Sequence, residues 1–547
     1  MAISNTRSFK ILSSVQTRWL QRPIHWPSFL LLLAGLIVAT SALLPLGYLI
    51  MRASGAGYDK VWNILLRPRT HEIFLNSIGL ATAVTLVSIV IGVSLAWLTV
   101  RTDLPARKFW SVATVLPLVI PSYIGAFTFI SALGPRGMLQ SWLEPFGVER
   151  LPSIYGFPGA LLALTLFTYP YVLLSVRAAL AGLDPSLEEA ARNLGRGPWQ
   201  VFWEVTLPHL RPAILAGALL VAFYTLSDFG AVSMLRFDTF TRAIYLQYSA
   251  SFDRSVAAVL ALLLVILTVL ILSFEAKMRG KARYYRSSSG VVRPQVPLKL
   301  GKWRLPALAF CIVVATFGLI IPLMVVGFWF GRGLMMGETF YMNLEIIFNS
   351  LIASGTAAFV ALLAAIPVTI LAIRFPGRLS LWIERSTYTG YALPGIVIAL
   401  ALVFFGANYT VFLYQTLAML IFAYVIRFLP QAIGSAQASL LQVSPRLEEA
   451  ARSLGRAPVQ VLSSITLPLI RPGLLTGLAL VFLTAMKELP ITLLLGPTGF
   501  RTMATRIWDA TAEAFFARAA APALLLVFVS ALAVWLILSQ EDRRSRR

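Results

Sequence analysis

Charge is scarce in this sequence. Asp, Glu, Lys and Arg make up 13% of its 547 residues, where an ordinary soluble domain carries about a quarter. With 58% hydrophobic residues and a mean hydropathy of +0.79, that shortage excludes a water-soluble enzyme. Cysteine occurs once; Cys311 sits in an apolar run with no partner in the chain, which excludes a disulfide framework and a cysteine metal site. The 3 histidines, His25, His71 and His209, are scattered and form no metal-binding pattern. Acidic side chains are outnumbered, 23 against 46 basic ones. Such a balance attracts nucleic acid or anionic lipid, but the basic residues lie between apolar runs rather than in one basic domain. Nucleic acid is thereby set aside and the bilayer retained. The phosphate-cradling pattern G-x-x-x-x-G-K-[ST] is also missing, because Gly280-Lys281 and Gly301-Lys302 run on into Ala282 and Trp303. ATP hydrolysis is therefore left to another chain.

What the sequence has in abundance is long apolar runs. A bilayer core about 30 Å thick needs roughly twenty apolar residues per helix. Runs of that order recur near 28–51, 74–100, 109–134, 156–180, 212–235 and 255–275, then 305–329, 349–373, 386–407, 410–433, 472–495 and 519–539. They predict an all-α polytopic membrane protein with twelve transmembrane helices. The first run is too long for a secretory signal core and lacks a small-residue cleavage site after it, so it reads as a retained span. Basic residues gather before it (Arg7, Lys10, Arg18, Arg22), in a central stretch (Lys277, Arg279, Lys281, Arg283, Arg286, Arg293, Lys299, Lys302) and in the tail (Arg543, Arg544, Arg546, Arg547). Positive charge marks the cytoplasmic side, so both termini and the central stretch are expected to face inward. Lys60, Arg67 and Arg69 in the outward segment 52–72 run against the rule without outweighing it.

Self-comparison divides the chain. Glu188 to Pro212 reads EEAARNLGRGPWQVFWEVTLPHLRP and Glu448 to Pro472 reads EEAARSLGRAPVQVLSSITLPLIRP, with sixteen of twenty-five positions identical; chance gives about one or two. The same offset pairs Pro170 with Pro430, Gly217 with Gly477 and Asp228 with Glu488, while a larger one pairs Asn76-Ser77 with Asn349-Ser350 and Pro121 with Pro394. The difference is an insertion near 135–155 in the first copy. The organisation is thus a first repeat (1–276), a basic linker (277–303) and a second repeat (304–547). Six spans each make the copies parallel, related by a pseudo-twofold along the membrane normal with a central pathway between them.

Each copy punctuates its own motif. Asp184-Pro185 and Ser444-Pro445 offer an N-cap with proline at the first helical position, and Gly195 and Gly455 can end the helix. Leu183, Leu187, Ala190, Ala191 and Leu194 fall on one side of it, an apolar face that wants a partner, with Glu188, Arg192 and Arg196 free to point elsewhere. Pro198 and Pro458 allow a second short helix, which Leu207-Pro208 and Leu467-Pro468 are expected to break before the next span.

Glu-Ala-Ala, three residues, Gly, nine residues, a β-branched residue, any residue, Leu-Pro is similar to the cytoplasmic signature loop of the permease subunits of binding-protein-dependent ABC importers of the type I fold. Glu189, Ala190, Ala191, Gly195, Val205, Leu207 and Pro208 match in the first repeat; Glu449, Ala450, Ala451, Gly455, Ile465, Leu467 and Pro468 match in the second. Val205, where isoleucine is commoner, is the one departure. The resemblance implies that loops 183–212 and 443–472 carry coupling helices. These would dock on two copies of an ATP-binding subunit that holds ATP and Mg, while a periplasmic substrate-binding protein delivers cargo from outside. No cofactor is then needed in this chain, which is a translocation subunit and not an enzyme. The fused two-repeat layout resembles the ferric-iron importer class, and thiamine importers share it. The rivals are an ion-gradient-driven secondary transporter and a non-transporting scaffold or channel.

Candidate pathway or gate residues follow from cost. A charge inside a membrane segment is expensive and is a functional-site hypothesis by default, which singles out Asp228 and Glu488; neutralisation by Lys487 or Arg427, or a place at the water interface, is the structural alternative. Pro117, Pro121 and Pro394 free backbone carbonyls and permit a kink or a broken helix. Tyr224 and Tyr391 offer phenolic oxygens. Hard ferric iron suits carboxylates and phenols, and cationic thiamine suits carboxylates and aromatics, so this chemistry leaves the cargo open.

Overall fold

The computed structural model describes residues 28–55, 57–183, 185–250, 255–279, 297–337 and 344–545. The basic amino terminus with His25, Asp184, and the linker charges from Lys281 to Arg293 lie outside them. The regular structure of the described residues is all helical, with no strand beyond one isolated bridge between Thr102 and Leu298. Among the described residues, nine helices are long and apolar enough to cross a membrane, or eleven if each of two sharply bent pairs counts as one, and Phe516–Leu532 is a shorter apolar helix. The all-α architecture is as expected, and the count of twelve spans is not confirmed among the described residues.

In the first repeat the elements are α1 (Phe29–Ser54), α2 (Pro68–Arg101), α3 (Arg107–Ala113), α4 (Ser122–Leu133), α5 (Phe157–Gly182), α6 (Pro185–Asn193), α7 (Leu207–Ser227), α8 (Gly230–Met234) and α9 (Ser255–Arg279). The second repeats the order, with its first span in two pieces and α19 matching Phe240–Ala250 of the first: α10 (Arg304–Ala315), α11 (Ile321–Met335), α12 (Leu344–Arg374), α13 (Arg378–Ala392), α14 (Gly395–Tyr409), α15 (Leu417–Leu440), α16 (Pro445–Ser453), α17 (Leu467–Met486), α18 (Pro490–Leu495), α19 (Met503–Ala512) and α20 (Phe516–Ser545).

Each repeat is built on a three-helix core, α2 with α5 and α7, and α12 with α15 and α17. Lipid offers no hydrophobic drive between helices, so small residues decide how closely they pack. Gly217 on α7 faces the α5 backbone: a Cβ there would lie 2.6 Å from Val172 Cα, and its counterpart at Gly477 would lie 3.2 Å from Ala432 Cα. Gly217→Ala should therefore cost about 1–3 kcal/mol by overpacking and lower the thermal midpoint of the purified protein by several degrees. Gly477→Ala should cost less, and Gly47→Ala, with nothing within 4 Å of the new methyl, should leave the melting curve in place.

The repeats exchange their first helices. Gly35 of α1 packs on Leu371 and Ile383 of the second repeat, and Tyr48 donates to the Phe404 carbonyl (3.3 Å) while its ring meets Phe405 and Tyr409 edge-on. In return, Gly318 packs on Pro117, with a Cβ only 3.0 Å from the proline ring, and Trp329 Nε1 donates to Ser131 Oγ at 2.6 Å. The repeated Asn-Ser pair has a mechanical meaning. Ser77 and Ser350 accept the backbone N–H of Phe240 (3.1 Å) and Met503 (2.8 Å), and Asn76 and Asn349 donate to the carbonyls of Asp238 (3.1 Å) and Arg501 (3.2 Å). The start of the second span thereby holds the segment that follows the fifth.

The apolar runs 109–134 and 386–407, whose prolines permit a broken helix, bend by 96° and 104°. Pro121 and Pro394 cap the second limb in extended conformation, with ψ of 143° and 146°. Proline fixes its own φ and disfavours the α region in the residue before it, so a helix ends there and another begins. Conversely, Leu207-Pro208 and Leu467-Pro468 do not break the helix. Proline has no N–H for the preceding turn, and the chain widens instead: Phe202–Thr206 and Leu462–Thr466 form π-turns in which Leu207 and Leu467 N–H reach back five residues to Phe202 and Leu462. Ile321-Pro322 does the same through Thr316–Ile320. The fifth span consequently begins earlier and ends earlier than 212–235, running to Ser227.

Candidate functional site

The motif helices α6 and α16 end as their glycines dictate. Gly195 and Gly455 have φ of +82° and +83°, open only cheaply to glycine. Gly455 N–H bonds Arg452 O (2.9 Å) and Arg456 N–H bonds Ala451 O (3.2 Å), with the same pair at Gly195 (2.9 Å) and Arg196 (3.1 Å), which is the Schellman closure. The apolar face then splits. Leu183 and Ala451 are buried, but Leu194 and Leu454 are 83% and 84% exposed, Leu187 and Leu447 are exposed, and so are Ala190 and Ala450. Glu189 and Glu449 also stand free on the surface, Ala191 is half-buried, and Leu207, Pro208 and Leu467 are partly covered with Pro468 exposed.

Glu188 does not point away, as expected from the helical wheel. It is buried at 4% exposure, ion-paired with Arg101 at the last turn of α2, and accepts a hydrogen bond from Thr206 Oγ1 at 2.9 Å. Glu448 is its twin: Arg374 Nε lies 3.1 Å from both carboxylate oxygens and Thr466 Oγ1 donates at 3.1 Å. A buried charge persists only when paired and hydrogen-bonded, and these are both. Sequence reasoning singled out the neighbouring glutamate and missed this one; the available signal was that Arg101 with Arg374, and Thr206 with Thr466, also recur at the two repeat offsets.

The second cluster lies at the bends. Asp228 follows the end of α7 and caps α8, accepting from Ala231 N–H (2.9 Å) and Val232 N–H (3.3 Å), and from Ser122 Oγ at the first turn of α4. Glu488 holds the same place in the second repeat, against the start of α14. Its Oε1 lies 3.5 Å from Ile491 N–H, and a Cβ on Gly395 would come within 2.5 Å of that oxygen. Ser122 and Gly395 are repeat-equivalent, so the two halves fill one volume differently: a shorter carboxylate with serine, a longer one with glycine. Each carboxylate thus sits at the N-terminus of a half-helix, where unpaired N–H groups favour negative charge.

The repeats differ in their cations. Arg427 Nε is 3.5 Å from Glu488 Oε2, and its Nη1 holds the Leu393 carbonyl at 2.8 Å; Phe167 occupies that position in the first repeat, and among the described residues no basic side chain pairs with Asp228. Among the described residues, Lys487 pairs with no carboxylate. It crosses to the other repeat, with Nζ 3.5 Å from the Leu118 carbonyl in the turn that precedes Pro121. Tyr224 packs on Tyr171, ring centroids 6.0 Å apart, where the second repeat has Thr484 donating to Gln431 (3.1 Å). Tyr391, just before its bend, is 44% exposed. Pro117 is buried against Gly318 at the junction of the repeats, and Pro121 and Pro394 make the bends. Among the described residues, no three of His, Cys, Asp and Glu form a metal-holding group.

Two copies of one helical unit, each with a motif helix tied to the end of its second span and a broken helix facing a buried carboxylate, define a two-repeat membrane permease. The chain belongs to the family of binding-protein-dependent transport system inner membrane components, whose pattern matches residues 88–278 and again 365–546. It is 37% identical to the Fe(3+)-transport system permease protein FbpB 2 of Haemophilus influenzae over 94% of this chain and 98% of that one. It is 26% identical to the ferric transport system permease protein FbpB of Actinobacillus pleuropneumoniae over 86% and 71%. Over 40% of its length it is 30% identical to the sulfate transport system permease protein CysW of Escherichia coli K12, of which it covers 74%.

Proposed function

We propose that this chain is the transmembrane subunit of an ATP-driven importer of ferric iron in a bacterial inner membrane, with both termini cytoplasmic. Two copies of an ATP-binding subunit, holding ATP and Mg, seat on α6 and α16, and a periplasmic binding protein loads the opposite face. The observation that carries the reading is the doubled motif helix, with Leu187, Leu194, Leu447 and Leu454 bare and Glu189 and Glu449 exposed. An apolar centre with charges around it is the composition of a protein interface, and two equivalent copies call for two equivalent partners. The names of the long relatives favour iron as the cargo. The oxygen-bearing groups near the bends, Asp228, Glu488, Tyr224 and Tyr391, suit a hard cation passing briefly, with Pro117, Pro121 and Pro394 shaping the route.

Binding of ATP by the partner subunits then shifts the permease between conformations open to either side. The test is uptake of labelled ferric iron into proteoliposomes that hold this chain with its ATPase, binding protein outside and thiamine as comparison. ATP-dependent accumulation of iron alone is expected. Accumulation of thiamine alone would keep the importer and replace its cargo, and uptake without the ATPase would favour the gradient-driven alternative.

A further inference from the structure

The motif helices are nine residues long and leave much of their apolar surface bare. Backbone contacts of α6 and α16 run to the short segments that follow them, including the π-turns that open the fifth spans. A buried carboxylate on each adds a tie to the membrane-spanning core. Glu188 joins three elements at once: its own helix, Arg101 at the end of α2, and Thr206 in the wide turn that starts the fifth span. Glu448 joins α16 to Arg374 of α12 and to Thr466 in the same way, and Arg374 Nη2 also holds the Val443 carbonyl at 3.0 Å, just ahead of α16. Side-chain exposure is 6% for both members of the first pair and 11% and 8% for the second. Such pairs contribute geometry more than net stability.

We infer that Glu188 and Glu448 are positioning residues that convert displacement of the motif helices into displacement of the second and fifth spans. This rests on the importer reading above. A helix held only by its flanking loop would swing when a motor subunit pushed it, and the loop would absorb the movement. A helix pinned through one carboxylate to two spans carries both with it. The exposed Glu189 and Glu449 meet the partner; the buried Glu188 and Glu448 hand the motion on.

The reconstituted complex with its ATPase and binding protein provides the test, read as iron taken up per ATP hydrolysed. Glu188→Gln with Glu448→Gln keeps shape and the threonine hydrogen bonds but removes the ion pairs. It should leave the ATPase bound and lower uptake per ATP by roughly five- to tenfold. Reversing both pairs, Arg101→Glu with Glu188→Arg and Arg374→Glu with Glu448→Arg, should restore most of it, because Thr206 and Thr466 can accept as well as donate. Wild-type coupling in the glutamine variant, or no recovery in the reversed one, would overturn the assignment.

A second measurement needs no change in the clusters. Cys311 is fully buried, so spin labels at Val90→Cys and Asn193→Cys, both exposed sites, should keep one separation with and without ATP while an Asn193 to Ser453 pair changes. An equal change in the Val90 to Asn193 pair would sink the idea. A wild-type complex that takes up nothing would count against the importer reading itself, a result the label pair does not produce.

Discussion

Replacing Glu189 and Glu449 together by lysine will release the ATPase subunits while leaving the permease folded. Both side chains are exposed and outside the buried clusters, and exposed substitutions of this kind change stability by about 0.5 kcal/mol or less. The partner sees a larger effect. A carboxylate seated against a basic residue at an interface loses its attraction and gains a like-charge repulsion, about 2 kcal/mol or more per site, which is roughly thirtyfold in affinity for each. Two sites act together, so the complex should no longer co-purify, and ATP-dependent uptake should fall to background with an unchanged melting curve for the isolated permease. Either single variant should retain part of the complex, because the other motif helix still docks. Normal complex yield and uptake in the double variant would remove the coupling role from these residues.

The duplicated motif made this part of the molecule readable from sequence. Proline, glycine and glutamate recur at fixed spacing, and each has a local meaning, so the helix and its αL terminus followed from residues within one turn of each other. Glu188 was different. On a helical wheel it belongs to the polar side, and its partner Arg101 is 87 positions away; only the recurrence of Arg374, Glu448 and Thr466 in the second repeat encodes the contact. The bends were half legible. Pro121 and Pro394 marked where a helix could kink or break, but hydropathy has no angular content, and apolar limbs on both sides of a turn sum to the same signal as a straight span. Pro208 and Pro468 misled in the opposite sense, since a π-turn absorbs the missing N–H and the helix runs on.

The carboxylates at the bends separate a structural role from a pathway role, because the two repeats solve the same packing problem unequally. Asp228→Asn keeps the cap on α8, since asparagine serves as well as aspartate there, and removes the charge. The fold should be retained, and iron uptake should slow by at least about tenfold if the cation passes this site, a loss of one opposite charge at ~4 Å being worth up to about 4 kcal/mol at an effective dielectric of 20. Glu488→Gln is not equivalent. It leaves Arg427, 19% exposed and 3.5 Å away, without its counter-charge, and should destabilise the second repeat by about 1–3 kcal/mol as well as slow transport. The volume argument supplies a control. Gly395→Ser alone drives a side chain into Glu488 and should cost about 1–3 kcal/mol, whereas Gly395→Ser with Glu488→Asp reproduces the Ser122 and Asp228 arrangement of the first repeat and should recover stability. Transport recovered together with stability in that double variant, and lost in Asp228→Asn at full stability, would show that charge at the bend is used by the cargo. Unaltered uptake in Asp228→Asn would leave Asp228 as a helix cap, with the route running elsewhere between the repeats.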